Sequence, residues 1–141
     1  MGEAYRHRFQ VRVVMGDVDA DRIHFAAFFR YMDRAFGELS AALGHPHSAV
    51  LGSGYAMPVV HCECTYRRPV GLDDVLLVES YIGRVGNSSF TVCHEFYRLP
   101  DGENVASGRV THVFLDRKTG RPIPAPDWVR QAAGLRLGVD A

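Results

Sequence analysis

The sequence predicts an α+β fold, an antiparallel sheet of about five strands wrapped around one long helix. Three observations predict it. Phe9, Val11 and Val13 alternate with Arg8, Gln10 and Arg12, the period-two pattern of a strand with one buried face. From about Ala26 to Leu43, the residues Phe28, Met32, Ala35, Phe36, Leu39 and Leu43 recur at steps of three and four, one stripe of an amphipathic helix. Beyond Met57, long apolar-rich stretches are separated by turn-forming residues, which implies consecutive hairpins and hence antiparallel pairing.

Each element can be justified in turn. The first strand ends at Met15-Gly16 and gives way to the acidic stretch Asp17-Val18-Asp19-Ala20-Asp21. The helix is expected to stop at Gly44, with Pro46 just beyond it. Residues His45 to Gly54 read as a loop with one short helical turn. Met57 to Arg68 is extended and is broken by Pro69-Val70-Gly71. Asp74 to Gly83, Phe90 to Leu99 and Val105 to Leu115 follow as strands. Their turns are Gly86-Asn87-Ser88, Leu99-Pro100-Asp101-Gly102 and Asp116 to Gly120. Pro122, Pro124 and Pro126 keep the tail extended before a short helix over Trp128 to Leu135. With no repeat or linker, residues 1–141 read as one domain. A sheet of this kind leaves an edge and an apolar outer surface, so pairing with a second copy is expected.

Composition narrows the function classes. The chain is 47% hydrophobic and 23% charged, an ordinary globular balance. Lys plus Arg (16) equals Asp plus Glu (16), so no global field favours nucleic acid or an anionic membrane. Neither a signal peptide nor a membrane-spanning apolar run is visible. Cys62, Cys64 and Cys93 form an odd set without a framework, which points to reduced thiols and a cytoplasmic setting. Cys62 and Cys64 have the wrong spacing for a zinc knuckle and should share one strand face as small packing residues. No pair of histidines has ligand spacing, so neither metal nor cofactor is expected.

The segment GDVDADRIHFAAFFRYMDRAFGELSAALG, Gly16 to Gly44, within this element order resembles the hotdog-fold thioesterases. The branch it is most similar to is the 4-hydroxybenzoyl-CoA thioesterase family. Members carry an aspartate-bearing loop, a short apolar-aromatic stretch and a helix beginning near Phe-Ala-Asn. Here these read Asp17-Val18-Asp19, Ile23-His24-Phe25 and Phe25-Ala26-Ala27. The segments Tyr66-Arg67-Arg68-Pro69, Asn87-Ser88-Ser89-Phe90, Gly108 to Asp116 and Gly120 to Pro124 fit in order. Two departures stand out. The loop after Asp19 is one residue shorter than the usual pattern, with Arg22 near a common glycine, and Ala27 replaces the helix-start asparagine.

Thioester hydrolysis needs an activated water or a nucleophile, and donors for the developing oxyanion. A carboxylate just upstream of a helix supplies the first, and free N–H groups of the first turn, around Phe25 to Phe28, supply the second. The resemblance implies that Asp19 attacks or activates water while a backbone N–H near Ala26 polarises the carbonyl. Asp17 is the fallback carboxylate, and an acidic loop with a helix-capping aspartate is the plain structural alternative. His24, close to Asp19, could support the acid/base chemistry or contact substrate, but it is read first as a pocket-lining or buried residue, and His61 and His112, which lie in strands, are read the same way. Phe25, Phe28, Phe29, Tyr31, Tyr55 and Met57 are candidates to line an acyl pocket, aromatic or medium-chain in size, although the helix must also bury most of them. Arg67, Arg68 and Arg84, with Ser88, are the candidates for coenzyme A phosphates. The turn Gly86-Asn87-Ser88 lacks the basic residues that the aromatic-acyl branch tends to have there, which keeps an acyl carrier protein substrate open. The expectation is an acyl-CoA thioesterase, a homodimer or homotetramer. Its rivals are a hydratase or dehydratase using His24 with Asp33 or Glu38 across a dimer, and a non-catalytic acyl-thioester binder.

Overall fold

A computed structural model describes residues 2–135. In chain order its elements are β1 (His7–Arg12), a single 3-10 turn (Met15–Asp17), β2 (Val18–Asp19), β3 (Arg22–Ile23) and α1 (Ala27–Ala42). They continue with α2 (His47–Gly52), β4 (Tyr55–Ala56), β5 (Val59–Tyr66), β6 (Val75–Val85) and β7 (Ser89–Leu99). The last are β8 (Glu103–Val113), β9 (Leu115–Asp116) and α3 (Asp127–Ala132). Five strands form one antiparallel sheet in the order β1-β6-β7-β8-β5. The α+β arrangement expected from the periodicities is present. Sequence reading missed two small ribbons, β2 with β3 and β4 with β9, because two-residue strands leave no periodicity to see.

The helix forms where its apolar stripe demands. Phe28, Met32, Ala35, Phe36 and Leu39 are all buried against the sheet, while Arg30, Asp33, Arg34 and Glu38 are not. Gly44 ends it with φ +86°, a left-handed conformation that glycine adopts without a Cβ penalty. The core divides along the helix axis. Phe28, Met32, Leu76, Val78 and Phe96 fill the end near the helix start, and Phe36, Leu39, Ile82, Phe90 and Phe114 fill the other. Truncating a residue as enclosed as Phe28 to alanine costs about 3–5 kcal/mol. Extra residues in β5, β6 and β8 are the kind of irregularity that bends strands, and they help the sheet curve round α1.

The sheet's two edges differ. β1 presents Arg8, Gln10 and Arg12 outward, charges and polar groups that discourage further pairing. β5 presents Val59 and Val60, 52% and 61% exposed, and ends at the exposed Tyr66. Among the described residues, no helix is long and apolar enough to cross a membrane.

Candidate active site

The acidic stretch folds into a tight clamp at the start of α1. Asp17 Oδ2 accepts the Tyr31 hydroxyl at 2.8 Å and the Val14 N–H at 3.2 Å, and Oδ1 accepts from Arg30 at 3.0 Å. Burial alone would raise the Asp17 carboxyl, but these hydrogen bonds and the Arg30 charge outweigh it and hold it below the usual carboxylate range. The same carboxylate, after burial itself, pushes the Tyr31 phenol upward. Both oxygens of Asp17 are therefore engaged. Its carbonyl also accepts the His24 N–H at 2.8 Å.

Asp19 is placed differently. It ends β2 opposite Arg22 of β3, it is exposed, and its side chain has no hydrogen bond or ion pair among the described residues. Opposed residues of an antiparallel ribbon project from the same face, so Asp19 points to the side on which Arg22 stands. The ribbon is pinned from beneath, because Ile23 N–H donates to Val70 and Leu72 N–H donates to Asp21. Asp19 is thus a free carboxylate on a fixed base.

The helix start supplies donors, although not all are free. Ala26 N–H points at His24 Nδ1 at 3.2 Å, and Ala27 N–H donates to the His24 carbonyl at 2.9 Å. Among the described residues, the Phe25 N–H has no partner. The donor nearest the expected position is therefore held by His24, and an unclaimed one lies a residue earlier. His24 also stacks on Phe25, with ring centroids 4.7 Å apart.

A groove of about 400 Å³ opens beside this helix start, lined by Arg22, Phe25, Phe28, Tyr66, Arg67 and Arg68 among others. Tyr66 donates its hydroxyl to the Phe25 carbonyl at 3.0 Å, which ties β5 to the loop. Burial and the neighbouring Cys64 push that phenol up to about 12. Arg67 bonds Ser107 and Arg68 pairs loosely with Glu103 at 3.5 Å, whereas Arg22 has no such partner among the described residues. Phe29 lines a second cavity, further along α1 and next to β5.

The structure does not unite every expected residue. Tyr55 lies by α2 and the Asp116 turn, beside Phe114. Met57 packs in the far half of the core and gives its carbonyl to His112. Arg84 stands in a polar depression on the outer face of the sheet with Tyr81 and Arg109. Ser88 is in the β6–β7 turn, where its carbonyl accepts the Phe114 N–H. Within one chain, none of these four shares a pocket with the Asp19 side of the helix. Sequence reading missed Arg22 and Tyr66 as groove residues, and Arg30 and Tyr31 as the clamp. Only the spacing of Tyr31 one helical turn past Ala27 hinted at the last. Among the described residues, no group of acidic, cysteine and histidine side chains could hold a metal ion.

An antiparallel sheet wrapped round one long helix is the architecture of the hotdog-fold thioesterases. Comparison with known proteins gives the family: residues 13–133 match the Thioesterase-like superfamily, and the chain belongs to it. The 1,4-dihydroxy-2-naphthoyl-CoA hydrolase of Synechococcus sp. (strain WH7803) is 32% identical over 129 residues, covering 85% of this chain and 83% of that protein. A gentisyl-coenzyme A thioesterase structure superposes with TM-score 0.79 at 26% identity, over 89% of this chain and 98% of the other. The 1,4-dihydroxy-2-naphthoyl-CoA thioesterase of Synechocystis superposes with TM-score 0.85 at 19% identity, over 97% and 99%, a likeness of fold. The chain is an enzyme of the thioesterase class.

Proposed function

We propose that this chain hydrolyses acyl-CoA thioesters with an aromatic acyl group, using Asp19 as the catalytic carboxylate. The observation that carries the reading is the contrast between the two loop aspartates. Asp17 has both carboxylate oxygens engaged, while the Asp19 side chain, without a partner among the described residues, stands on a pinned ribbon opposite Arg22, which lines the cationic groove at the helix start. The relatives support the substrate class, since they are hydrolases of dihydroxynaphthoyl-CoA and a thioesterase of gentisyl-coenzyme A.

In this reading the thioester carbonyl oxygen accepts the Phe25 N–H, and the Ala26 N–H once His24 turns aside. Both lie where the helix dipole favours negative charge. Asp19 either takes a proton from the attacking water or attacks the carbonyl itself, and water then opens the resulting anhydride. In each route the C–S bond breaks, the thiolate of coenzyme A leaves and is protonated, and an oxygen from water ends in the acid. Arg22, Arg67 and Arg68 hold the phosphates of coenzyme A at the rim. Phe25, Phe28 and Phe29 receive the acyl group, with His24 at its mouth.

A second copy completes the assembly by pairing β5 with its own β5, which covers Val59 and Val60 and satisfies the bare strand edge. The test is thiol release from benzoyl-, dihydroxybenzoyl-, butyryl- and octanoyl-CoA. Aromatic substrates should show the highest kcat/KM. Turnover confined to straight chains removes the aromatic reading, and no turnover of any CoA ester removes the reaction.

A further inference from the structure

The cavity lined by Phe29, Met32, Asp33 and Phe36 of α1, Cys62 of β5 and the imidazoles of His94 and His112 carries an inference of its own. It measures about 180 Å³, somewhat more than the apolar cavity of about 150 Å³ that admits a benzene ring. It begins at Phe29, in the first turn of α1, and reaches Phe36, about 10 Å further along the axis. The cavity thus begins within one helical turn of the start of α1, where the proposed thioester carbonyl sits.

Its polar groups are unusual for such a lining. His94 is 1% exposed, and among the described residues its Nε2 has no hydrogen-bond partner. Its Nδ1 lies 2.7 Å from the Ser80 hydroxyl. Ser80 has no other acceptor among the described residues, so its proton goes to Nδ1 and the ring proton sits on Nε2 as an unspent donor. His112 is fixed the other way. Its Nδ1 faces the Met57 carbonyl at 3.1 Å, and a carbonyl only accepts, so Nδ1 carries the proton and Nε2 is a bare acceptor. Burial pushes both imidazoles toward the neutral form.

We infer that this cavity is a specificity slot for a hydroxylated aromatic ring, with His94 donating to the ring hydroxyl and His112 accepting from it. The inference rests on the acyl-CoA reading above and names the part of the acyl group that this chain recognises. A ring hydroxyl meets a donor and an acceptor at once, whereas a methyl meets neither. A buried donor without a partner is costly, so the free protein keeps His94 at a disadvantage that a hydroxylated ligand removes. Met32 makes room for such a ligand. Its thioether rests where a Cβ on Gly108 would stand, and Gly108 is the strand partner of His94, so a flexible side chain forms the adaptable wall.

The test uses phenol and toluene, rings of matching size, titrated into the free protein and followed through the imidazole signals of His94 and His112. Phenol should bind about 10-fold or more tightly than toluene, with the His94 Nε2 signal moving. His94→Phe should abolish the preference, and His94→Gln, which keeps a donor near the Nε2 position, should restore part of it. In parallel, the kcat/KM ratio of 3-hydroxybenzoyl-CoA to benzoyl-CoA should exceed about 10 for the wild type and fall toward unity in His94→Phe. Equal binding of phenol and toluene by wild type, with thioester turnover intact, overturns the slot and leaves the reaction; a buried water then meets the two imidazoles. A phenol preference without thioester turnover supports the slot and removes the reaction it was assigned to serve. If His94→Phe does not fold, the wild-type comparison still decides.

Discussion

Replacing Tyr31 by phenylalanine tests the division of labour between the two loop aspartates. The substitution removes one oxygen, and with it the 2.8 Å hydrogen bond to Asp17 Oδ2. Phenylalanine fills the same space, so the loss is the hydrogen bond alone. Bonds to charged groups are worth about 1.5–3 kcal/mol. Arg30 still faces Oδ1 and Val14 N–H still faces Oδ2, but Arg30 is 56% exposed, so its share is small, about 0–1 kcal/mol. With 141 residues and about 2.1 cal/mol/K per residue, unfolding entropy is about 0.3 kcal/mol/K, so each kcal/mol moves Tm by about 3 °C. Tyr31→Phe should therefore melt about 5–10 °C below wild type by calorimetry, and Asp17→Ala lower still, since it also strands the Tyr31 hydroxyl. Tyr31→Phe should keep most of its turnover at 25 °C, because Asp17 is a brace and not the reacting group. An Asp17→Asn variant with wild-type Tm and no turnover would refute this reasoning and move the chemistry to Asp17.

The remaining predictions concern pH, the groove and assembly. The Asp17 carboxyl is lowered on folding, so its contribution is present above the ordinary value of 3.8 and is lost as pH falls through the lower folded value; Asp17→Asn should flatten the stability curve below about pH 4. Burial lowers His94 from 6.5 to about 3, so the unfolded chain takes up its proton first and stability falls as pH drops from 6.5 toward 3. At pH 5.5 that one group costs on the order of 1 kcal/mol, and denaturant melts of a folded His94→Phe should lack that share of the acid slope. Arg22→Ala should raise KM for acyl-CoA about 2–5-fold with little change in kcat, an effect that shrinks in high salt. Val60→Lys places a charge on the bare β5 edge and should yield a monomer by sedimentation where wild type is a dimer. A monomeric wild type would contradict the edge-pairing proposal.

Much of the fold was legible because burial writes a period into sequence. The stripe from Phe28 to Leu39 and the alternation from Phe9 to Val13 can bury their apolar residues in only one way each, and the helix and β1 stand where those patterns place them. Gly44 and Gly102 marked their turns because both need positive φ. The site was legible only in its loop. Asp17 and Asp19 look equivalent in the sequence, and what separates them is a contact to Tyr31, fourteen residues away, which no local pattern encodes. Tyr55, Met57, Arg84 and Ser88 were grouped with the site by residue type, yet strand order carries them elsewhere on the chain. His94 drew no notice, since a histidine in an alternating strand reads as one more inward residue. Its significance lies in the Ser80 partner on the adjacent strand and in the missing partner at Nε2.

The most direct measurement is steady-state hydrolysis of a hydroxybenzoyl-CoA by Asp19→Asn, with Tm and assembly state measured on the same preparation. Asparagine keeps the size of the side chain and removes its charge, and the Asp19 side chain makes no hydrogen bond among the described residues. The account predicts a kcat lower by about 10²–10⁴, with KM within a few-fold and an unchanged Tm. Wild-type kcat in a well-folded Asp19→Asn protein contradicts it and removes Asp19 from the chemistry.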